Sequence, residues 1–103
     1  MRLAFTPLAE QDLEAIADYI ATDNPMRALT FVRELLAHCQ RITLNPPGYR
    51  PRPELGDGIR SCAHGNYVIF FEFDPDSVVI VRILHGARDI PTVFGADPEP
   101  PMR

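Results

Sequence analysis

The sequence has too little positive charge for a general nucleic-acid-binding protein. Ten basic residues, none of them Lys, oppose 14 acidic residues, and the formal net charge is −4. Affinity for nucleic acid comes largely from basic side chains that neutralise phosphates. A small basic site on an acidic protein stays compatible with these numbers, but we expect no direct sequence-specific binding of nucleic acid.

Long apolar segments are also absent. No apolar run approaches the ~18 residues of a transmembrane helix. The N-terminal residues Met1–Phe5 lack the extended apolar region of a secretory signal. We therefore expect a cytoplasmic protein with no membrane partner.

Cysteine is scarce, and its spacing does not indicate a metal site. Cys39 and Cys62 are the two cysteines of the chain. Buried free thiols in a reducing compartment explain them better than a disulfide does. We predict no metal and no cofactor.

The composition is that of one folded domain. The chain has 103 residues, of which 46% are hydrophobic and 23% charged, so disorder is not expected over most of its length. We assign a single domain to residues 1–94. Residues 95–103 form a proline-rich tail that we expect to be disordered or to pack only against a neighbour.

Two helices are predicted after a short first strand at Leu3–Phe5. Thr6-Pro7 and Asn24-Pro25 each combine a capping side chain with proline at the first helical position. Apolar residues then recur every three or four positions, so each helix buries one face. The first helix should end near Thr22-Asp23 and the second before residues 45–48. The short link predicts an antiparallel helical hairpin.

Three strands joined by short turns follow. We predict them at residues 58–63, 67–73 and 78–85, as an antiparallel meander. A short helix or an arm should follow within residues 87–94. The order is β-α-α-β-β-β, which indicates an α+β fold with the helical hairpin packed on one face of a twisted antiparallel sheet.

Both faces of the predicted sheet are apolar. Alternation places Tyr67, Ile69, Phe71 and Phe73 on one face of the middle strand, and Val68 with Phe70 on the other. The last strand should place Val79, Val81 and Ile83 on one face and Ile80, Arg82 and Leu84 on the other. The hairpin covers only one face, so the second needs another cover.

Arg82 and His85 are costly residues for a buried strand, because buried charges need partners or access to water. One interpretation is a binding surface. The other is structural: Arg82 and Arg60 pair with Glu72 or Glu54, and His85 bonds to backbone at the strand end. Arg88-Asp89 has a similar structural interpretation as a solvated local pair.

In their order and spacing, six segments together resemble the ParE/RelE superfamily of bacterial toxins, and its ParE branch in particular. The resemblance extends from residue 3 to about residue 93, and no single segment is specific. The segments are residues 9–20, Asn24-Pro25 with Ala28 and Phe31, and residues 46–50, 58–61, 66–71 and 81–90.

This resemblance implies the toxin of a type II toxin–antitoxin pair, held inactive by a cognate antitoxin encoded by the adjacent gene. ParE-like toxins poison DNA gyrase, whereas RelE-like toxins are ribosome-dependent endoribonucleases that cleave mRNA. A shared fold does not choose between these activities. A third alternative is a non-toxic protein-interaction module.

We favour gyrase inhibition, in which the toxin has no catalytic residues. RelE-like nucleases typically carry clustered Lys and Arg and often a C-terminal Tyr, but this chain has no Lys and no Tyr after Tyr67. The metal-independent RNase alternative would use Arg60, Arg82 and His85 as phosphate-binding and acid–base groups.

Two sets of candidate site residues follow from this interpretation. The candidates for contact with the target are Arg60, Arg82, His85, Arg88 and Asp89. The candidates for contact with an antitoxin, which would cover the second face of the sheet, are Tyr19, Phe31, Val68, Phe70, Ile80 and Leu84.

Overall fold

A helical hairpin lies on one face of a five-stranded sheet in the computed structural model, which describes residues 1–95. The predicted α+β fold is confirmed, and all but one residue of the predicted tail lies outside the described residues. The elements are β1 (Arg2–Phe5), α1 (Pro7–Ala21), α2 (Pro25–Ile42), β2 (Arg50–Pro51), β3 (Arg60–His64), β4 (Tyr67–Phe73), β5 (Ser77–His85) and α3 (Ile90–Gly95).

Both helix starts are the predicted ones. The Thr6 hydroxyl accepts from the Ala9 backbone N–H at 3.0 Å, and the Asn24 side chain accepts from the Arg27 N–H at 3.1 Å. Each contact satisfies one N–H that the first helical turn leaves without a partner. Among residues 1–95, no helix has the length and apolar character needed to cross a membrane.

The sheet has the order β1-β5-β4-β3-β2. Strands β3, β4 and β5 form the predicted antiparallel meander, and β1 adds to β5 in parallel, which makes the sheet mixed. The two residues of β2 pair with β3 at the opposite edge. Sequence patterning missed β2, because a proline occupies half of it and proline usually argues against a strand.

A β-bulge in β5 corrects the predicted faces of that strand. Phe70 pairs with Arg82 and Phe71 with Ile80, so Val81 is an extra residue. An extra residue shifts the alternation of side chains. The assignment of Ile80 to the second face and of Val81 to the helical face was therefore wrong. Ile80 packs beneath the helices, and Val81 packs on the second face.

The first face of the sheet forms the main core with the helical hairpin. Its alternation on β4 is as predicted, since Ile69 and Phe71 are fully buried under the helices. From α2, Leu35 and Ile42 are also fully buried. Each such side chain contributes roughly 1.5–3 kcal/mol by leaving water, so this face carries most of the stability of the fold.

The second face is covered by the protein itself. The Arg52 guanidinium lies 5.6 Å from the centroid of the Phe70 ring, and the Phe94 ring meets Phe70 edge-on at 5.0 Å. Phe70 and Leu84 are buried as a result. The expectation that these side chains await a partner protein was therefore wrong. The apolar residues of this cluster are Leu55, Ile59, Val68, Phe70, Val81, Leu84, Ile90, Val93 and Phe94.

Both cysteines are free thiols, as predicted. Burial raises the pKa of Cys39 to about 12 and the pKa of Cys62 to about 11. The reactive thiolate form is therefore scarce at neutral pH. Cys39 is a small apolar side chain of the core, whereas Sγ of the half-buried Cys62 lies 3.7 Å from Nε2 of His38.

Candidate partner-binding groove

An open groove runs between the helical hairpin and the end of the sheet where β5 finishes. It has a volume of ≈ 500 Å³ and adjoins a smaller hollow of ≈ 140 Å³. Tyr19, Tyr67 and His85 line both, so the two form one continuous surface. The remaining lining residues are Ile20, Arg27, Phe31, Gly65 and Asn66 in the groove, and Asp12, Ala15, Ile16, Ile83, Leu84 and Arg88 in the hollow.

Aromatic side chains form the wall of this groove. Tyr67 opens β4 directly opposite His85 of β5, and their rings meet edge-on at 5.2 Å. Phe31 of α2 packs against Tyr67 with the ring centroids 5.6 Å apart. Tyr19, in the last turn of α1, is 75% exposed. Large exposed aromatic side chains are typical of surfaces that bind proteins.

Arg27 provides positive charge on the same surface. Its guanidinium lies 5.3 Å from the centroid of the Phe31 ring and pairs with the Glu34 carboxylate at 3.1 Å. Both charged side chains are about half exposed, so the pair is weak and can exchange partners. The groove therefore presents apolar rings beside a cation.

His85 is held by backbone contacts at the end of β5. Its Nδ1 accepts from the Ala87 N–H at 3.0 Å, so the neutral ring carries its proton on Nε2. The next residue, Gly86, donates its N–H to the Asn66 carbonyl at 2.8 Å. A Cβ at Gly86 would lie only 3.3 Å from that oxygen. The predicted bonding of His85 to backbone is confirmed, and its side chain stays exposed.

Arg82 is fixed in an internal ion pair. Its Nε and Nη2 atoms donate to the two carboxylate oxygens of Asp12, at 2.8 and 3.0 Å respectively. Asp12 also accepts from the backbone N–H of Ile83 at 2.9 Å. The predicted structural role of Arg82 is therefore confirmed, but the proposed partners, Glu72 and Glu54, were wrong.

Asp12 also replaces a missing strand partner of β5. It lies beside the edge of β5 beyond the last residue that pairs with β1. The parallel pairing of β1 with β5 ends at Phe5 and Ile80. Beyond it, the Ile83 N–H would lack a strand partner, and an unpaired backbone donor inside a protein is costly. The carboxylate of Asp12 accepts the hydrogen bond from this N–H instead.

Arg60 pairs with Phe71 of β4, whereas His85 pairs with Tyr67 at the start of the same strand. Arg60 opens β3, and its guanidinium donates to the Tyr49 carbonyl at 2.7 Å and to the Pro47 carbonyl at 3.4 Å. It therefore braces the segment before β2 rather than pairing with Glu54, which binds Arg52 at 2.7 Å.

The three residues of the RNase alternative do not converge. Arg60 pairs with Phe71 and Arg82 with Phe70, which are neighbours on β4 and face opposite sides of the sheet. His85 stands at the end of β5, opposite Tyr67. Neither arginine is placed to neutralise a phosphate beside His85.

Arg88 and Asp89, the last two target candidates, have different surroundings. Arg88 lines the hollow beside His85. Asp89 precedes α3, where its carboxylate accepts from the Thr92 hydroxyl at 2.7 Å and its carbonyl accepts from the Val93 N–H at 3.0 Å. These are contacts of a helix cap, so Asp89 has a structural role that the sequence pattern did not reveal.

The groove thus unites residues from both predicted sets. His85 and Arg88 came from the target set, and Tyr19 and Phe31 from the antitoxin set. Arg27, Asn66 and Tyr67 were missed as site residues, although a tyrosine at the outer end of a strand is a recognisable signal. Among residues 1–95, no group of three or more His, Cys, Asp and Glu side chains is placed to hold a metal ion.

Comparison with known proteins agrees with this fold. The family model for the ParE toxin of the type II toxin–antitoxin system parDE matches residues 3–90. No curated protein sequence matches at a significant level.

Two solved structures illustrate the similarity. One belongs to the chromosomal ParDE toxin–antitoxin system of P. aeruginosa, with 25% identity and a TM-score of 0.70 over 82% of this chain and 95% of that one. The other belongs to the toxin–antitoxin complex RelBE2 of Mycobacterium tuberculosis, with 23% identity and a TM-score of 0.60 over 84% and 92% of the two chains.

Proposed function

Because the chain belongs to the ParE toxin family of type II toxin–antitoxin systems, we propose that it inhibits DNA gyrase and that a cognate antitoxin neutralises it. The toxin would act by binding, with no catalytic residue and no cofactor of its own. Its location would be the cytoplasm, where gyrase meets the chromosome.

The separation of Arg60, Arg82 and His85 carries this proposal. A nuclease that uses the 2′-hydroxyl of RNA needs an acid, a base and cations around one phosphate. In this chain Arg82 is held by Asp12 and Arg60 by backbone carbonyls, at 2.8 and 2.7 Å respectively. The net charge of −4 also disfavours binding to the ribosome.

One observation favours the ribosome-dependent RNase as the second candidate. His85 is exposed, and Arg88 lines the same hollow. A histidine can act as a general acid or base, and a cation beside it can stabilise the charge of a phosphate. This alternative therefore belongs in the same experiment.

We place the antitoxin in the groove. Its wall of Phe31, Tyr67 and Tyr19 offers apolar contact, and Arg27 with Arg88 supplies positive charge. An antitoxin segment with apolar anchors and acidic side chains fits these properties. Val68, from the second face, is half-buried and leaves little surface for a partner.

The test compares both targets in parallel. Purified toxin, separated from its antitoxin, is added to a gyrase supercoiling reaction and to a translation extract, with His85→Gln as the variant. We expect micromolar toxin to block supercoiling or trap cleaved plasmid, and mRNA to stay intact. Normal supercoiling together with mRNA cleavage that His85→Gln abolishes would establish the RNase.

A cellular control separates both activities from the third alternative, a non-toxic interaction module. We expect induced expression to arrest growth and the adjacent gene to restore it. Unimpaired growth of cells that contain folded protein would favour the module.

A further inference from the structure

Two histidines join the helical hairpin to the sheet. Nδ1 of His38, on α2, lies 2.8 Å from Nδ1 of His64, on β3, and the ring centroids are 5.1 Å apart. Both rings are half-buried. A contact this short between two ring nitrogens is a hydrogen bond, in which one ring donates and the other accepts through its lone pair.

This geometry accommodates one proton between the two Nδ1 atoms, and never two. If both rings become imidazolium, each nitrogen carries a proton and two donors face each other. Two positive charges would then also lie in contact in a partly desolvated place. Full protonation must therefore break the contact between α2 and β3.

Burial and neighbouring positive charge favour the neutral form of the pair. The pKa of His38 is lowered below its ordinary value of 6.5. Burial is the largest cause, and repulsion from His64 and from the positive charge of Arg41 follows. Burial is also the largest cause of the lowered pKa of His64, which Glu34 opposes. The surrounding groups are Arg27, Glu34 and Arg41 on α2, Tyr67 on β4 opposite His64, and Cys62 on β3, whose Sγ lies 3.7 Å from Nε2 of His38.

We propose that His38 and His64 form a proton-sharing pair that fastens α2 to β3 at neutral pH and releases it in mild acid. Protons bind the unfolded chain more tightly than the folded pair, because both folded pKa values are lowered. The stabilisation by the pair is therefore complete above pH ~6.5, and it decreases as pH falls below that value.

The release would reach the groove through Phe31. The Phe31 ring packs edge-on against His64, with centroids 5.4 Å apart, and Phe31 also lines the groove. Movement of the His64 ring therefore changes the wall against which an antitoxin would pack. This consequence for regulation rests on the proposed function, whereas the proton-sharing pair itself does not.

The experiment uses the toxin alone, so its result is independent of gyrase and of the antitoxin. Nitrogen-15 NMR of the imidazole rings identifies the tautomer of each histidine at pH 7.5 and follows all three through a titration to pH 5.5. We expect one ring of the pair to carry its proton on Nδ1 and the other on Nε2. The third histidine of the chain is His85.

Unfolding by urea at the same pH values gives the second measurement. The urea midpoint of the wild type and of His85→Gln should fall between pH 7.5 and pH 5.5. The midpoint of the double variant His38→Gln/His64→Gln should be lower at pH 7.5 and nearly constant with pH. Carboxylates stay ionised in this window, because their ordinary pKa values lie near 4.

Two results would overturn the proposal. One is the same tautomer, with the proton on Nε2, in both His38 and His64 at pH 7.5. The other is a midpoint of the double variant that falls with pH as steeply as that of the wild type. If the double variant does not fold, the tautomers of the wild type still decide.

Discussion

The two faces of the sheet are covered by different means. The first lies under two long helices that bury a continuous core, whereas the second lies under the loop from Arg52 to Ile59 and the six residues of α3. The first cover shapes the fold, and the second closes an apolar surface that would otherwise be exposed. Apolar alternation in a strand therefore shows that a face is covered, but not whether the protein or a partner covers it.

This difference determines where a partner can bind. Since both faces are closed, the exposed aromatic surface lies at the end of the sheet, around Tyr19 and Tyr67. Each cover, the ion pair of Asp12 with Arg82 that joins α1 to β5, and the groove should therefore respond differently to substitution.

The largest effect should come from the first face. Leu35 of α2 is fully buried in the core of this face. Leu35→Ala should therefore lower the free energy of unfolding by about 2–5 kcal/mol, because less apolar surface leaves water on folding and a cavity remains. Urea unfolding measures this change. Leu36→Ala is the matched control, because Leu36 is the next residue and is 39% exposed. Equal losses in both variants would contradict the assigned orientation of α2.

The ion pair of Asp12 with Arg82 joins the helical layer to the bulged strand. Their side chains are only 12% and 17% exposed. Asp12→Asn removes the charge and one acceptor while it keeps the shape, so the free energy of unfolding should fall by about 2–3 kcal/mol. The control is Asp18→Asn, on the exposed face of the same helix. A loss no greater than that of the control would mean that Asp12 does not hold Arg82.

The second cover should matter less, because it is smaller. Phe94 is half-buried and packs on Phe70 through α3. Phe94→Ala should cost about 1–2 kcal/mol, below the range for a fully buried Phe. It should also increase the fluorescence of a dye that binds apolar surfaces, because Phe70 loses its cover. Unchanged stability and unchanged dye binding would indicate that α3 does not close this face.

The sequence was sufficient to predict the local elements other than β2. The caps at Thr6 and Asn24, the breaker at residues 45–48 and the alternation on β4 depend on neighbouring residues, and all of them are found. The bulge at Val81 was not predictable, since an uninterrupted run of apolar residues carries no sign of an extra residue. The faces of Ile80 and Val81 were therefore assigned wrongly, whereas Ile83 and Leu84, beyond the bulge, lie on the predicted faces.

The candidate site was harder to predict, because it depends on long-range contacts. Asp12 and Arg82 are 70 positions apart, and nothing near either residue identifies the other as its partner. The helix cap at Asp89 was also hard to predict, since the six residues of α3 are too few to show the apolar periodicity of a helix. Tyr19 and Phe31, two of the predicted antitoxin contacts, both line the groove, and their binding role is still a prediction.

The smallest effect on stability, and the largest on binding, should come from the groove. Tyr19 is 75% exposed, so Tyr19→Ala should change the free energy of unfolding by less than about 0.5 kcal/mol. If the antitoxin packs in the groove, the same change should weaken its binding by about 2 kcal/mol or more, as expected for an aromatic anchor. Calorimetric titration of toxin with the antitoxin measures this affinity.

Leu44→Ala provides the control for that titration. Leu44 is 82% exposed and follows α2, and it does not line the groove. Since both variants remove a large exposed side chain, general loss of apolar surface affects them alike. Weakened binding in Tyr19→Ala alone would locate the antitoxin at the end of the sheet. Weakened binding in Leu44→Ala alone would move the interface to the far end of the hairpin, and the comparison of the two faces would then no longer predict where a partner binds.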